Sequence, residues 1–474
     1  MNVSVRKFEL KDVPYKVAWI NDPENNRYLH YDLPLEIEKT ELWYERTKDR
    51  TDRYDAVIEV DNVPVGLIGL LSIDEKSRKA EYYITIGDRD YLHQGVAVKA
   101  TKLLLEVAFG ELKLNKVFLF TECENHAAVR AYERIGFKRE GVVEQDIFSK
   151  GRYIDRYIYG ITRRKFYRQE NTPVCKLGNI CGNEVYMKRE DLISFSFGGN
   201  KARKAKLFFE EIDLGQFDCV VTYGSSSSNH CRVVSNMAAA RGMKCYIISP
   251  LEGAKSTYNS KLMDIFGAER ITCPVEKVSE TIAKTIQSLQ ENGRLPYFIP
   301  GGGHGNVGTQ AYLDCYEEIR QFEKENGIWF DYIFFASGTG TTQAGLVCGQ
   351  ILNRDKRKIV GISIARKSPY GRDIVLESIR EYLSEVEVPI TEKTIDDATI
   401  FIDDYVETGY GASSEEIQIC IMRIMTQYGI PLDTTYTGKA FAGMLSHIKQ
   451  ERLKGKTILF IHTGGTPLFF DALA

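Results

Sequence analysis

Lys201 stands directly behind Gly198, Gly199 and Asn200 and ahead of Ala202, Arg203 and Lys204. A lysine set where a glycine turn gives way to an apolar helix, Ala205 to Ile212, is held close to whatever the turn binds, and its amine is a candidate Schiff-base former. Glycines before a Lys/Arg-rich helix also act as plain helix caps, so Lys201 needs support from elsewhere in the chain. Two stretches supply it. Gly224 and the run Ser225 to Ser228 lead into Asn229 and His230. Far downstream, Ser337 to Gly345 forms a Gly/Thr-rich loop between an apolar strand, Tyr332 to Ala336, and a helix, Gln343 to Leu352. A strand, such a loop and a helix start present N–H groups, hydroxyls and the positive end of a dipole to a phosphate.

An amine-bearing lysine with a remote phosphate cradle suggests pyridoxal phosphate. In chain order, Lys188 to Asp191, Gly198 to Lys204, Ser228 and Asn229, Gly338 to Thr342, Tyr410 and Gly411, Tyr436 to Lys439 and His462 to Pro467 resemble the fold-type II pyridoxal-phosphate enzymes, in the group that holds D-cysteine desulfhydrase and 1-aminocyclopropane-1-carboxylate (ACC) deaminase. The resemblance implies a two-lobed, tryptophan synthase β-like domain with the cofactor between the lobes. It implies that Lys201 holds the cofactor and removes the α-proton, its pKa lowered by burial. It also implies that Asn229 contacts the ring 3-oxygen, that Ser228 binds the substrate carboxylate, and that Gly338, Thr339, Gly340, Thr341 and Thr342 hold the phosphate. Tyr410 and Tyr436 would face the substrate. Thr437 and Thr463 discriminate within the group, because the deaminase carries glutamate and leucine there and desulfhydrase-like members carry small hydroxyl residues. Without a carboxylate on the ring nitrogen the electron sink is weaker. The expected reaction is then β-elimination from D-cysteine or a related β-substituted D-amino acid, releasing pyruvate, ammonia and sulfide. β-Replacement and ACC deamination are the alternatives. Asp433 is followed by Thr434 where relatives carry proline.

The first 165 or so residues read differently. Strand-like runs at Val3 to Phe8, Tyr54 to Val60, Val65 to Ile73 and Ala80 to Gly87, joined by short polar turns, argue antiparallel pairing. Asp90 to Ala97 then leads into an amphipathic helix, Val98 to Phe109, followed by a buried strand, Lys116 to Glu122, and by Asn125 to Phe137. This segment resembles the GNAT acetyltransferases. The resemblance implies an α+β fold in which Gln94, Gly95 and Ala97 hold the pyrophosphate of acetyl-CoA, Asn125 contacts its pantetheine region and Tyr132 protonates the departing thiolate. His93 stands where the usual pattern has glycine, and Glu81 is the candidate base. Trp19 to Pro23 is similar to members that acetylate amino sugars, nucleotide-linked sugars or protein N-termini.

Arg163 to Pro173 is polar and basic, which places a domain boundary near residue 168 and gives a GNAT domain over 1–168 and a pyridoxal-phosphate domain over 169–474, with the basic run read as solvated surface. Beyond it strand and helix alternate, from Cys219 to Thr222 through Lys244 to Ser249, Arg270 to Thr272 and Tyr297 to Ile299 to Tyr332 to Ala336, the pattern of βαβ units in a mainly parallel α/β sheet. With 474 residues, 43% of them hydrophobic, the chain suits two or three packed units. A net charge of −3 gives no basic footprint for nucleic acid or a membrane surface. Ten scattered cysteines match no metal-ligand spacing and read as reduced thiols of a cytoplasmic protein. The whole is expected to be a bifunctional enzyme using small amino-acid substrates and acetyl-CoA, a homodimer by resemblance, with a regulatory chain carrying one inactive domain as the opposing class.

Overall fold

Alternating and continuous apolar runs segregate along the chain, and with them two kinds of sheet. The computed structural model describes every residue except 93, 150, 167–170, 252–255, 407–413 and 474. His93, Tyr410 and the boundary expected near residue 168 therefore lie outside the described residues. The chain divides into two compact units, Met1–Gln169 and Glu170–Ala474.

The first unit is built on seven strands: β1 (Val3–Lys7), β2 (Tyr54–Val60), β3 (Val63–Asp74), β4 (Lys79–Ile86), β5 (Lys116–Glu122), β6 (Lys138–Ser149) and β7 (Arg152–Thr162), in the order β1-β2-β3-β4-β5-β7-β6. Neighbours pair antiparallel except β4 and β5, which are parallel and touch only from Lys79–Glu81 against Lys116–Phe118. Beyond that short register the two strands part, and their ends, Tyr82 to Ile86 and Leu119 to Glu122, flank an opening in the sheet. The helix Val96–Glu106 buries Val96, Ala100, Leu104 and Leu105 against Ile68, Leu70, Val117 and Leu119, one apolar stripe at helical spacing on one sheet face. It starts two residues before the expected Val98 and is followed by one wide turn, Val107–Glu111. The hairpin β6–β7 was not anticipated, since Lys138–Ser149 is largely polar and lacks a buried face. In the basic run after it, Arg163–Phe166 is a helical turn in which Lys165 is exposed as expected, whereas Arg163 is 7% exposed and not solvated.

The second unit holds two sheets. Strands β8 (Val174–Ile180) and β9 (Asn183–Arg189) form an antiparallel hairpin at the edge of a six-stranded sheet that also contains β14 (Tyr332–Ser337), β15 (Lys358–Ser363), β16 (Ile400–Ile402) and β17 (Thr457–His462). Strands β10 (Cys219–Tyr223), β11 (Lys244–Pro250), β12 (Glu269–Cys273) and β13 (Pro296–Ile299) form a wholly parallel four-stranded sheet. Both faces of the larger sheet are covered. Along β14, Ile333 and Phe335 enter one core cluster and Phe334 and Ala336 the other, which is why the strand is continuously apolar. Parallel strands deliver their C-terminal ends, and the loops beyond them, to one side of each sheet.

Candidate active sites

The helix Asn200–Leu214 begins earlier than its apolar run suggests, so Lys201 lies in its first turn and not in the preceding loop. The cause is the pair of glycines, both in the left-handed region at φ 59° and 95°. A Cβ on Gly198 would stand 2.4 Å from the Asp191 carbonyl, and one on Gly199 2.8 Å from that of Thr463. Only glycine allows this approach, which brings three distant segments to one helix start. The Asn200 N–H donates to the Thr463 carbonyl at 2.9 Å, and the Asn200 side-chain amide donates to the Thr342 hydroxyl at 3.1 Å. Lys201 Nζ donates to the Gly302 carbonyl at 2.9 Å, and burial, with Arg366 nearby, pulls its pKa down to about 8.

Lys201 opens into a cavity of about 500 Å³ whose wall also includes Ser228, Gly338, Thr339 and Tyr436. His230, Arg366 and Glu377 line it too. The His230 Nε2 lies 2.8 Å from the Thr222 hydroxyl, whose own proton goes to the Ile299 carbonyl, so His230 is the donor in that pair. Burial, and then the charges of Lys201 and Lys204, drive the His230 pKa far down and keep the ring neutral. Ser228 accepts from the Cys231 N–H at 3.2 Å and caps the helix Asn229–Ala239. Asn229 Oδ1 accepts from Arg232 at 3.1 Å and from Asn259 at 3.0 Å. Gly340 has φ 99° at the start of the helix Thr341–Asn353, as a phosphate-cradling turn requires. The Thr437 hydroxyl donates to Asp433 Oδ1 at 2.7 Å and accepts from the Asp433 N–H at 2.9 Å. The buried Asp433 carboxylate also takes the N–H groups of Thr435, Tyr436 and Thr437, so it orders the turn that carries Tyr436. Thr463 is buried and reaches the lysine helix through its carbonyl.

Behind Lys201 the same helix carries a dry ion cluster. Arg203 bridges Glu190 and Glu318, and Lys188 donates to Glu318 at 2.9 Å. Burial alone would raise the Glu190 carboxyl, but Arg203 and Lys188 hold it below the usual range. The Lys188 to Asp191 stretch thus acts through the helix it anchors.

In the first unit, Gly95 adopts φ 77° at the start of the helix Val96–Glu106 and faces open space. Gln94 folds back, its amide donating to the Asp90 carbonyl at 2.6 Å. Ala97 lies in the first turn, and its carbonyl accepts from Thr101 at 2.7 Å. Asn125 spends its side-chain oxygen on the Ala128 N–H as a helix cap. Tyr132 is set edge-on to Tyr82, ring centroids 6.1 Å apart, and packs on Phe137 and Tyr159. Burial pushes its pKa up to about 12, so it keeps its proton at neutral pH. Burial likewise raises the Glu81 carboxyl, against the pull of Arg156. Glu122, at the end of β5, is 6% exposed and lies 3.4 Å from His30 Nε2. That pairing joins residues 92 positions apart, which no local pattern announces.

The family model for pyridoxal-phosphate dependent enzymes matches residues 166–464. The chain belongs to that family. An acetyltransferase (GNAT) domain model matches residues 2–138, so this pyridoxal-phosphate enzyme carries an N-terminal GNAT domain. Among its relatives are the D-cysteine desulfhydrase of Yersinia enterocolitica, 31% identical over 310 residues covering 63% of this chain and 92% of the relative, and the putative ACC deaminase of Pyrococcus furiosus, 34% identical over 315 residues covering 64% and 92%. The crystal structure of an ACC deaminase homologue superposes with a TM-score of 0.58 at 30% identity, covering 64% of this chain and 93% of that one.

The residues present fit pyridoxal phosphate. A lysine with a lowered pKa, a cavity of cofactor size and a Gly/Thr turn at a helix start stand together. A second lysine completes the fit. Lys204, 1% exposed, donates to the Thr341 hydroxyl at 2.6 Å and so brings a second amine to the Gly338–Thr342 turn. Its position one turn after Lys201 was visible in the sequence, but a helix-surface lysine has the same spacing. Among the described residues no cluster of His, Cys, Asp or Glu could hold a metal, and no helix is long and apolar enough to cross a membrane. All ten cysteines are free.

Proposed function

We propose that the second unit eliminates the β-substituent of D-cysteine or a related D-amino acid, giving pyruvate, ammonia and sulfide, while the first transfers acetyl from acetyl-CoA to an amine. The functional boundary is placed near residue 168. The elimination is carried by a lysine amine in the cavity, together with Thr437 and Thr463 at positions where, by the resemblance, an ACC deaminase has glutamate and leucine. Bound pyridoxal phosphate supplies the sink for the electron pair left when the α-proton departs. Lys201 Nζ, neutral in a substantial fraction near pH 8, would hold the cofactor and is the base that would take the α-proton. The Ser228 loop holds the carboxylate and Asn229 the ring oxygen. Gly338 to Thr342, with Lys204, hold the phosphate. Tyr436, in the cavity wall, faces the substrate, and the resemblance gives Tyr410 the same role. The Thr437 hydroxyl has its proton committed to Asp433, so toward a ring nitrogen it can accept but not donate, and it is a far weaker base than a carboxylate. α-Deprotonation is then best coupled to loss of a β-leaving group.

In the first unit the opening between β4 and β5 takes the thioester, with the turn at Gln94, Gly95 and Ala97 on the pyrophosphate and Asn125 on the pantetheine. Tyr132 supplies a proton to the thiolate as the tetrahedral adduct collapses. A homodimer in the cytoplasm, where ten thiols stay reduced, is the working form. The purified protein is to be incubated with D-cysteine, L-cysteine, β-chloro-D-alanine and ACC. Pyruvate from the D-substrates is expected, and 2-oxobutyrate from ACC alone rejects the assignment.

A further inference from the structure

The first unit contains a second cavity, of about 510 Å³, unrelated to any motif of the sequence. Its wall includes Lys16, Tyr31, Leu33, Pro34, Leu35 and Trp43. Lys16 is only 9% exposed, and its Nζ sits 3.2 Å from the centroid of the Trp43 ring and 5.8 Å from that of Phe8. Among the described residues it makes no hydrogen bond and no ion pair. Asp55, whose charge reaches Lys16, is already engaged by the Arg53 guanidinium at 2.8 Å and the Tyr83 hydroxyl at 2.7 Å. Glu36, also in the wall, is paired with Lys39 at 2.8 Å.

A buried ammonium has three N–H donors and normally finds acceptors for them. Aromatic faces stabilise the charge but accept no strong hydrogen bond. Burial, partly offset by Asp55 and reinforced by Arg53, brings the Lys16 pKa down to about 7, the mark of a charge with no counter-ion. Apolar and polar side chains both line this cavity, and an unpartnered ammonium on its wall favours an anion that enters it.

We propose that this cavity binds a small carboxylate with an apolar body, its carboxylate on Lys16 Nζ and its body against Tyr31, Leu33, Leu35 and Trp43. The wall segment also leads toward the opening of the sheet: His30, next to Tyr31, lies 3.4 Å from Glu122 at the end of β5. An apolar amino acid and its N-acetyl derivative share this chemistry. They differ at the nitrogen, where a free ammonium would be drawn to Asp32 in the cavity wall.

The test is calorimetric titration of the full chain with 4-methylpentanoate, leucine, N-acetyl-leucine and the neutral analogue 4-methylpentan-1-ol, repeated on Lys16→Met. Methionine keeps the apolar stem and removes a buried charge, so the fold is retained, and an unchanged thermal midpoint or a higher one checks this. Saturable binding of the carboxylates is expected, about 10- to 100-fold weaker in Lys16→Met, as loss of a charged hydrogen bond requires. The alcohol should bind weakly in both. Tighter binding of leucine than N-acetyl-leucine assigns the site to free amino acids, and the reverse assigns it to acylated ones. Equal affinity for alcohol and carboxylate, or carboxylate binding unaffected by Lys16→Met, overturns the proposal.

Discussion

The two sides of the helix Asn200–Leu214 bury cations in opposite ways. Behind it, Arg203 and Lys188 are locked to Glu190 and Glu318 in a dry cluster. In front of it, among the described residues, Lys201 bonds to the Gly302 carbonyl and Lys204 to the Thr341 hydroxyl, over the face of Tyr312 and with no carboxylate on either, and burial lowers both pKa values. Matched charges cost the fold little and do no chemistry. An unmatched amine in a cavity keeps a neutral fraction near physiological pH, and that is what a nucleophile or base needs. Lys16 in the first unit repeats the second arrangement, with Trp43 in place of a carbonyl.

Substitutions on the two sides should therefore separate chemistry from stability. Lys201→Ala should cut pyruvate formation by about 10⁴-fold while leaving the urea midpoint nearly unchanged. Arg203→Met leaves Glu190 and Glu318 to share Lys188 alone, and denaturant unfolding should show a loss of about 3–5 kcal/mol. If the two results were exchanged, the contrast between matched and unmatched cations would fail. In the first unit, Tyr132→Phe should lower acetyl transfer by about 10²-fold with acetyl-CoA affinity preserved. An effect confined to affinity would make Tyr132 a packing residue.

The pH dependence follows from the lowered pKa of Lys201. Its amine becomes neutral as pH rises through about 8, instead of near 10.5. The rate at which apoprotein captures pyridoxal phosphate should climb from pH 6 and level off above that point, as stopped-flow absorbance can follow. The smallest effect concerns Lys16. A lysine whose folded-state pKa is lowered favours folding in its neutral form, so its penalty is absent above about pH 10.5 and grows as pH falls toward 7. Lys16→Met should then raise the thermal midpoint at pH 7 and change little near pH 11, a gain on the order of 1–2 kcal/mol once the Trp43 contact is discounted.

Much of this was legible in the sequence for a physical reason. Motifs such as Gly198 to Lys204 and Gly338 to Thr342 are local, because a turn and the helix start after it are set by adjacent residues. Strands buried on both faces, such as β14, announce themselves as unbroken apolar runs. The apolar run Ala205 to Ile212 misplaced the helix start because Gly199, not hydrophobicity, sets it. The hairpin β6–β7 was hidden by polar faces, and Arg163 by its charge. Ligands of a cluster such as Arg203, Glu190 and Glu318 are joined only by the fold, and nothing in the spacing marks Lys16 as buried. What Lys204 does was likewise invisible until Thr341 was found beside it.

The most direct test of the contrast is to reduce the pyridoxal-phosphate-loaded protein with borohydride and map the labelled peptides by tandem mass spectrometry. A single pyridoxyl label is expected on Lys201, with Lys204, three positions on, unmodified. A label on Lys204 or on another lysine, or none at all, would contradict the assignment of Lys201 as the chemical group of the site.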